Sequence, residues 1–364
     1  MTPEEPPMSP EDRAWEVVRR AFEERTPSPR PKIARDKLSL AILAAAVLVA
    51  AVASPPGRAL LGSVREAVGV EHAQPALFSL PAQGRLLVVS RGGPWVVQPD
   101  GSRRRLGDWR EASWSPFGRF VVAASDNELA ALDPQGHVRW SLARQRVRFP
   151  RWGGSRTDTR IAYLTRSRLH VVAGDGTGDV DQGGGPAAAR IAPAWRPGAR
   201  HVLAYATTRG RVYVLDTDAG SLLWRSAPYP APRLLAWSRD GRRLVLVTRD
   251  KVVVFAGGPR PVQTRFVRGV VGAAFGPGGH RVALARARDV LLLAGRRVTR
   301  VFAGAGRFTG VAWSPDGRWL LVPWADADQW VFVRVEGAHR IRAVSNVARQ
   351  FGGFPQVETW CCAR

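Results

Sequence analysis

The sequence predicts an all-β fold built from repeats, and two observations lead to this prediction. An apolar and usually aromatic residue, a turn rich in proline and glycine, and an apolar strand recur along the chain at intervals of about 40 residues. Each interval has room for four short strands separated by turns, which is the pattern of a β-propeller blade. We therefore predict a seven-bladed β-propeller over residues 77–360.

The repeated turn is clearest at residues 313–318 and 237–242, which read WSPDGR and WSRDGR. Proline presets the φ angle of a turn, and glycine supplies the residue with positive φ, so a strand reverses tightly there. Looser copies lie near residues 80, 114, 152, 195 and 275. Because the tryptophans recur at nearly the same phase, we expect them to pack between neighbouring blades rather than to stack on a ligand.

Strands rich in valine and leucine follow each turn, for example at residues 201–206 and 244–248. A further feature concerns closure of the ring. Residues 354–360 repeat the pattern of residues 308–313, although no blade follows them. We predict that this last stretch supplies the inner strand of the first blade, which would remove the open sheet edges. Residues 361–364 then form a short tail.

The WSPDGR motif followed by an apolar strand resembles the repeats of WD-like, TolB-type β-propellers, and the resemblance covers residues 80–360. It implies the fold but no single activity, because such propellers have many unrelated functions. Residues 132–140 and 215–224 also resemble the pyrroloquinoline-quinone-type repeat. Enzymes with that repeat use a pair of adjacent cysteines, and this chain has adjacent cysteines at Cys361 and Cys362. Only two blades carry that pattern and no acidic calcium cluster accompanies it, so we interpret it as a blade-docking feature.

Residues 38–54 form an apolar segment that we predict to be an uncleaved transmembrane anchor. The alternatives are a cleavable signal peptide and a buried helix. The long leader, which has a helical pattern of its own, disfavours a signal peptide. The flanking basic residues and the Pro-Pro-Gly break disfavour a buried helix. Four basic residues precede the segment, so the N-terminus is expected in the cytoplasm and the propeller outside. Residues 55–76 are expected to be a juxtamembrane helix and linker.

Residues 1–37 are predicted to be a cytoplasmic tail with an amphipathic helix at 10–25. Trp15, Val18 and Phe22 share one face of that helix. An isolated helix of this length is marginal in water, so this apolar face is expected to dock on the inner leaflet or on a cytoplasmic protein.

The formal net charge of +24 lies entirely after residue 37. Such a positive field would attract an anionic polymer or an anionic lipid. It would also attract nucleic acid, but we do not expect nucleic acid to be the partner. The alternative is that the arginines are scattered over a soluble surface and bind no partner. Four arginines between the second and third blades are predicted to form a positive stripe that binds a partner. They are Arg144, Arg146, Arg148 and Arg151.

Catalytic motifs are missing from the sequence. No GxSxG or HExxH occurs, the six histidines are scattered, and residues 174–179 lack the glutamate that a calcium loop needs. We therefore predict no catalytic residue, no metal site and no cofactor. The expected function is that of an interaction scaffold, with a layout similar to membrane-bound anti-sigma regulators. The alternative is an enzyme, a lyase or a quinoprotein, with its site in the central funnel.

Overall fold

The computed structural model describes residues 79–166, 168–183, 190–338 and 340–362. In this part of the chain it contains seven antiparallel sheets of four strands each. The predicted all-β, seven-bladed propeller is thereby confirmed.

The strands follow one another along the chain in sets that correspond to blades. The first set is β1 (Arg85–Ser90), β2 (Gly93–Val97) and β3 (Arg103–Arg105). The second is β4 (Glu111–Trp114), β5 (Val121–Ala124), β6 (Glu128–Leu132) and β7 (Val138–Ala143). The third is β8 (Val147–Gly154), β9 (Thr159–Thr165), β10 (Arg168–Ala173) and β11 (Val180–Asp181). The fourth is β12 (Ala194–Trp195), β13 (Val202–Ala206), β14 (Val212–Asp216) and β15 (Ser221–Arg225).

The remaining sets continue the same order. The fifth is β16 (Pro232–Trp237), β17 (Leu244–Thr248), β18 (Lys251–Phe255) and β19 (Pro261–Phe266). The sixth is β20 (Val270–Phe275), β21 (Arg281–Arg286), β22 (Asp289–Ala294) and β23 (Arg297–Ala303). The seventh is β24 (Ala312–Trp313), β25 (Trp319–Trp324), β26 (Gln329–Arg334) and β27 (Ile341–Ser345). A short helix, α1 (Val347–Phe351), and a final strand, β28 (Gln356–Cys361), end the described chain.

The two middle strands of each blade carry the core. All five residues of β13 and of β17 are buried, because both faces of a middle strand pack against neighbouring blades. The outer strands β7 and β19 instead alternate between exposed and half-buried residues. The continuous Val/Leu runs seen in the sequence are therefore middle strands, and the alternating segments are the outer edges.

The recurring tryptophan ends the inner strand of most blades and packs against the blade before it. Three of these tryptophans also donate an indole N–H to an inner-strand carbonyl of that preceding blade: Trp195 to Arg151, Trp237 to Ala194, and Trp313 to Ala274, at 2.9–3.0 Å. Each of these acceptors immediately precedes the aromatic residue of its own strand. The predicted packing role of the tryptophans is confirmed. In three blades an indole hydrogen bond also fixes the position of the inner strand relative to the inner strand of the preceding blade.

Closure of the ring follows the predicted scheme. In the first blade the strand order is β28-β1-β2-β3, so the last strand of the chain is the inner strand of the first blade. Leu86 pairs with Trp360, and Trp360 is buried in a cluster with Phe332. The strand runs to Cys361, one residue beyond the predicted boundary.

The predicted anchor at 38–54 and the amphipathic helix at 10–25 lie outside the described residues. Among the described residues, no helix has the length and apolarity needed to cross a membrane.

Replacement of Trp360 with alanine tests closure. We expect the free energy of unfolding to fall by about 3–5 kcal/mol, because a large buried aromatic side chain is lost from the strand that closes the ring. Urea unfolding followed by tryptophan fluorescence measures the change. Phe266→Ala is the control, since that aromatic side chain is 78% exposed on an outer strand. Equal midpoints for the two variants would contradict the closure scheme.

Candidate binding site at the mouth of the central channel

A cavity of about 490 Å³ lies in the central channel, where the inner strands end. We call this end of the propeller the turn face, because the turns that lead from each inner strand to the next strand lie there. One wall of the cavity is apolar and is formed by small residues of the fifth to seventh blades, Ala236, Ala273 and Val311. Three turn prolines surround the opening: Pro116, Pro277 and Pro315. The cavity therefore has an apolar side and an open mouth.

The opposite wall is polar and comes from the first three blades. It carries Ser113, Thr359 and an ion pair in which the guanidinium of Arg151 lies 3.5 Å from the carboxylate of Glu358. The pairing of β28 with β1 shifts register between Leu87 and Val88, opposite Glu358. A bulge of this kind re-aims a side chain, and here it leaves Glu358 among the residues that line the channel.

Burial raises the pKa of Glu358 above its usual value of 4.5, and the neighbouring Glu111 raises it further, while Arg151 opposes both effects. Only 17% of the Glu358 side chain is accessible, so solvent screens its charge poorly. Arg151 is thus the cation that compensates the buried carboxylate.

Glu111 holds the beginning of β8 in place. Its carboxylate accepts hydrogen bonds from the backbone N–H of Phe149 and from the guanidinium of Arg148. The register of β8 with β9 shifts between Arg148 and Arg151, and Phe149 has a φ of 54°. The carboxylate therefore stabilises a left-handed backbone conformation that a residue with a side chain rarely adopts.

The four arginines predicted to form a stripe differ in their partners. Arg148 and Arg151 point to Glu111 and Glu358 near the channel. Arg144 pairs with Asp179 at 2.7 Å, and Arg146 is exposed with a φ of 58°. Of the four, only Arg146 makes no ion pair within the described part of the chain. Whether these residues bind a partner stays a prediction.

The pairing of Arg144 belongs to a structural network in the third blade. The Tyr163 hydroxyl donates a hydrogen bond to Asp179 at 2.7 Å, and burial together with that carboxylate raises the pKa of the tyrosine. Asp175, at the start of the calcium-like tract, accepts hydrogen bonds from Thr177. Both aspartates of the tract thus have partners in the protein, and no cluster of three metal-ligating residues occurs among the described residues.

Cys361 and Cys362 form a disulfide bond between neighbours, and both line the channel cavity. They were predicted to begin a short C-terminal tail, but Cys361 belongs to β28. Glu111 and Glu358 were not predicted from the sequence. A glutamate in a strand does not show in the sequence that it will form an ion pair, because folding of the ring brings its partner to it from another strand. Trp15, Val18 and Phe22 lie outside the described residues.

Solved structures show where this fold occurs. The chain is similar to a chain of a mitotic checkpoint complex (16% identity, 64% of this chain and 74% of that one, TM-score 0.53). It is also similar to the β-propeller domain of Cps50 (Swd1) from Myceliophteria thermophila (15% identity, 70% and 96%, TM-score 0.55). A third similar structure is KlHsv2 with its loop 6CD replaced by a Gly-Ser linker (13% identity, 73% and 94%, TM-score 0.55).

No protein-family model matches the sequence, and no curated protein is significantly similar to it. One of these structures is a β-propeller domain, so the repeat resemblance is confirmed at the level of a seven-bladed β-propeller fold. At these identities the likeness establishes the fold alone.

The Arg151–Glu358 pair gives a prediction with a defined pH dependence. Because the folded-state pKa of Glu358 is raised, the folded protein binds this proton more tightly than the unfolded chain, so stability falls as the pH rises from about 4.5 through the folded-state pKa. Arg151→Gln should lower the free energy of unfolding at pH 7.5 by about 1–3 kcal/mol, because it leaves a carboxylate without its cation. Urea unfolding at pH 5 and 7.5 measures both effects.

The matched variant is the double substitution Arg151→Gln and Glu358→Gln. It should recover most of the lost stability and flatten the pH dependence, since neither charge remains. A double variant as unstable as Arg151→Gln alone would show that the two side chains are not coupled.

Proposed function

We propose that the chain is a membrane-anchored interaction scaffold whose propeller lies outside the cytoplasm and binds a protein or small ligand at the channel mouth. One observation carries the proposal: a cavity of about 490 Å³ opens on the turn face with one apolar and one polar wall. Cavities of this size with a few convergent polar groups are typical of binding sites.

The composition of the lining favours binding over catalysis. Among the described residues that line the cavity, Glu358 is the only carboxylate and there is no histidine. Its partner Arg151 holds it in an ion pair, so no pair of acid and base side chains converges there. An enzyme with its site in this funnel remains an alternative hypothesis that no feature of the described residues favours.

The anchor and the topology are proposed from the sequence. Residues 38–54 are apolar and basic residues precede them, which by the positive-inside rule puts the propeller on the outer side of the membrane. In this arrangement the helix at 10–25 docks a cytoplasmic protein through Trp15, Val18 and Phe22, and the chain relays binding outside to a regulator inside, as in an anti-sigma-like layout. An anionic polymer is the second class of outer partner, for which Arg146 is the exposed charge without an ion pair among the four predicted arginines.

Cysteine labelling in intact cells tests the topology. In a background where Cys361 and Cys362 are replaced by serine, Arg20→Cys should resist an impermeant thiol reagent, whereas Thr299→Cys on the exposed part of β23 should react. The opposite pattern, or release of the propeller into the medium, would reject the anchor. Permeabilised cells provide the control, since both positions should then react.

Site-specific crosslinking tests the channel mouth. A photoreactive benzoylphenylalanine at Pro315 should give a discrete crosslinked partner in intact cells, because that residue borders the cavity. The same group at Val298, which is exposed on an outer strand, is the matched control and should not. Ala273→Leu in the Pro315 background should reduce the yield because it narrows the cavity. An undiminished yield, or equal yields at both positions, would contradict the proposal.

A further inference from the structure

A second concave surface lies on the turn face, between the second and third blades. Its volume is about 550 Å³, and it is bordered by Phe117, Phe120, Trp140, Trp152 and Arg156. We call it the blade 2–3 groove. Phe120 stacks on Trp152 with ring centroids 5.9 Å apart, and the indole N–H of Trp140 donates to the carbonyl of Gly174 across the two blades at 2.9 Å. The floor is therefore aromatic and is held by contacts between the blades.

Two aromatic side chains of the groove face solvent. Phe117 is 42% exposed and Phe120 is 36% exposed. Both belong to the turn between β4 and β5, which Gly118 closes with a φ of 66°. Exposed single apolar residues are common, but two phenylalanines on one turn above a tryptophan form a concave apolar surface.

The chain's own repeat shows that the fold does not require Phe117. In the fifth and seventh blades the same turn position is occupied by Asp240 and Asp316. Each of these carboxylates accepts hydrogen bonds from a serine hydroxyl at 2.5 Å and from a backbone N–H at 3.1 Å. The second blade lacks this pair of turn-stabilising hydrogen bonds and exposes a phenyl ring at the same position.

Charges around the groove define what it would bind. Arg119 and Arg156 are exposed on either side of Phe117, and neither makes an ion pair within the described residues. The Arg156 guanidinium lies 5.0 Å from the centre of the Phe117 ring. Arg139 and Arg160, which also line the groove, are paired with Asp133 and Asp158. Two uncompensated guanidinium groups thus flank an aromatic surface.

A carboxylate of the groove disfavours a uniformly anionic ligand. Asp175 lies in a turn of the third blade, borders the same groove and makes no ion pair within the described residues. It would repel a phosphate or an anionic lipid headgroup, whereas a peptide presents charge at chosen positions.

We propose that the blade 2–3 groove docks an extended acidic peptide segment of a partner protein, with one apolar side chain against Phe117 and Phe120 and neighbouring carboxylates on Arg119 and Arg156. Guanidinium groups bind carboxylates through paired hydrogen bonds, and the aromatic floor supplies apolar area. This surface extends the scaffold role beyond the channel mouth and is separate from it.

An array of immobilised eight-residue peptides tests the proposal with the full-length protein in detergent micelles. Each peptide carries one Leu, Ile or Phe flanked by two to four Asp or Glu residues, and a paired peptide carries Asn and Gln in their place. We expect the acidic set to retain the protein and the amide set to release it. Retention should weaken as salt rises, because carboxylate–arginine contacts are screened.

Phe117→Asp is the decisive variant. It restores the aspartate of the repeat, so its thermal stability should equal or exceed that of the parent, while its affinity for the retained peptides should fall by about tenfold or more because an apolar contact is replaced by a like charge. Arg119→Gln with Arg156→Gln should weaken binding to a similar extent. Arg297→Gln with Arg300→Gln on β23 removes the same charge from an exposed outer strand and should leave binding unchanged.

Three results would overturn the proposal: no acidic peptide is retained, Phe117→Asp binds as the parent does, or both arginine double variants lose affinity equally. Because Ala273→Leu lies in the channel, peptide retention by that variant separates failure of the groove from failure of the channel mouth.

Discussion

The pairing of β28 with β1 is the constraint on which the rest of the structure depends. It joins the last described strand to the first, so seven sheets that each bury their middle strands against neighbours form a closed ring without free inner edges. Closure also brings the ends of the inner strands together on one face. The channel cavity and the ion pair between Glu358 of β28 and Arg151 of β8 exist only because this last strand occupies the first blade.

Hydrogen bonds between inner strands differ around the ring. Indole hydrogen bonds link the third blade to the fourth, the fourth to the fifth and the sixth to the seventh. The sixth blade has Phe275 in place of the tryptophan, so it has no indole donor for the fifth blade. Trp114, Trp152 and Trp360, which belong to the first three blades, bury indole nitrogens that find no partner among the described residues. The same three blades contribute the polar wall. The first three blades therefore lack the indole hydrogen bonds between their inner strands, and the same blades contribute the Arg151–Glu358 ion pair to the channel.

Repetition makes departures from the repeat informative. Where the WSPDGR turn is intact, its aspartate satisfies a hydroxyl and a backbone N–H, so the residue is explained by the fold. Phe117 occupies that position without these bonds and adds an exposed ring to an inter-blade groove. A single globular domain offers no internal reference of this kind, whereas a propeller supplies several copies of the same turn for comparison.

The sequence by itself determined the fold class, the number of blades, the role of the tryptophans and the closing strand, because these depend on periodic patterns that recur within about 40 residues. Alignment of the repeats in the sequence also shows that Phe117 occupies the position of Asp240 and Asp316, whereas the groove that it borders is visible only in the structure. Only the tertiary structure decided which charges meet. Arg144, Arg148 and Arg151 look like one stripe along the chain, yet a bulge and a positive φ at Phe149 send them to Asp179, Glu111 and Glu358 on different elements. The physical reason is that an ion pair forms between side chains that ring closure and blade packing bring together, and local sequence contains no record of that distance.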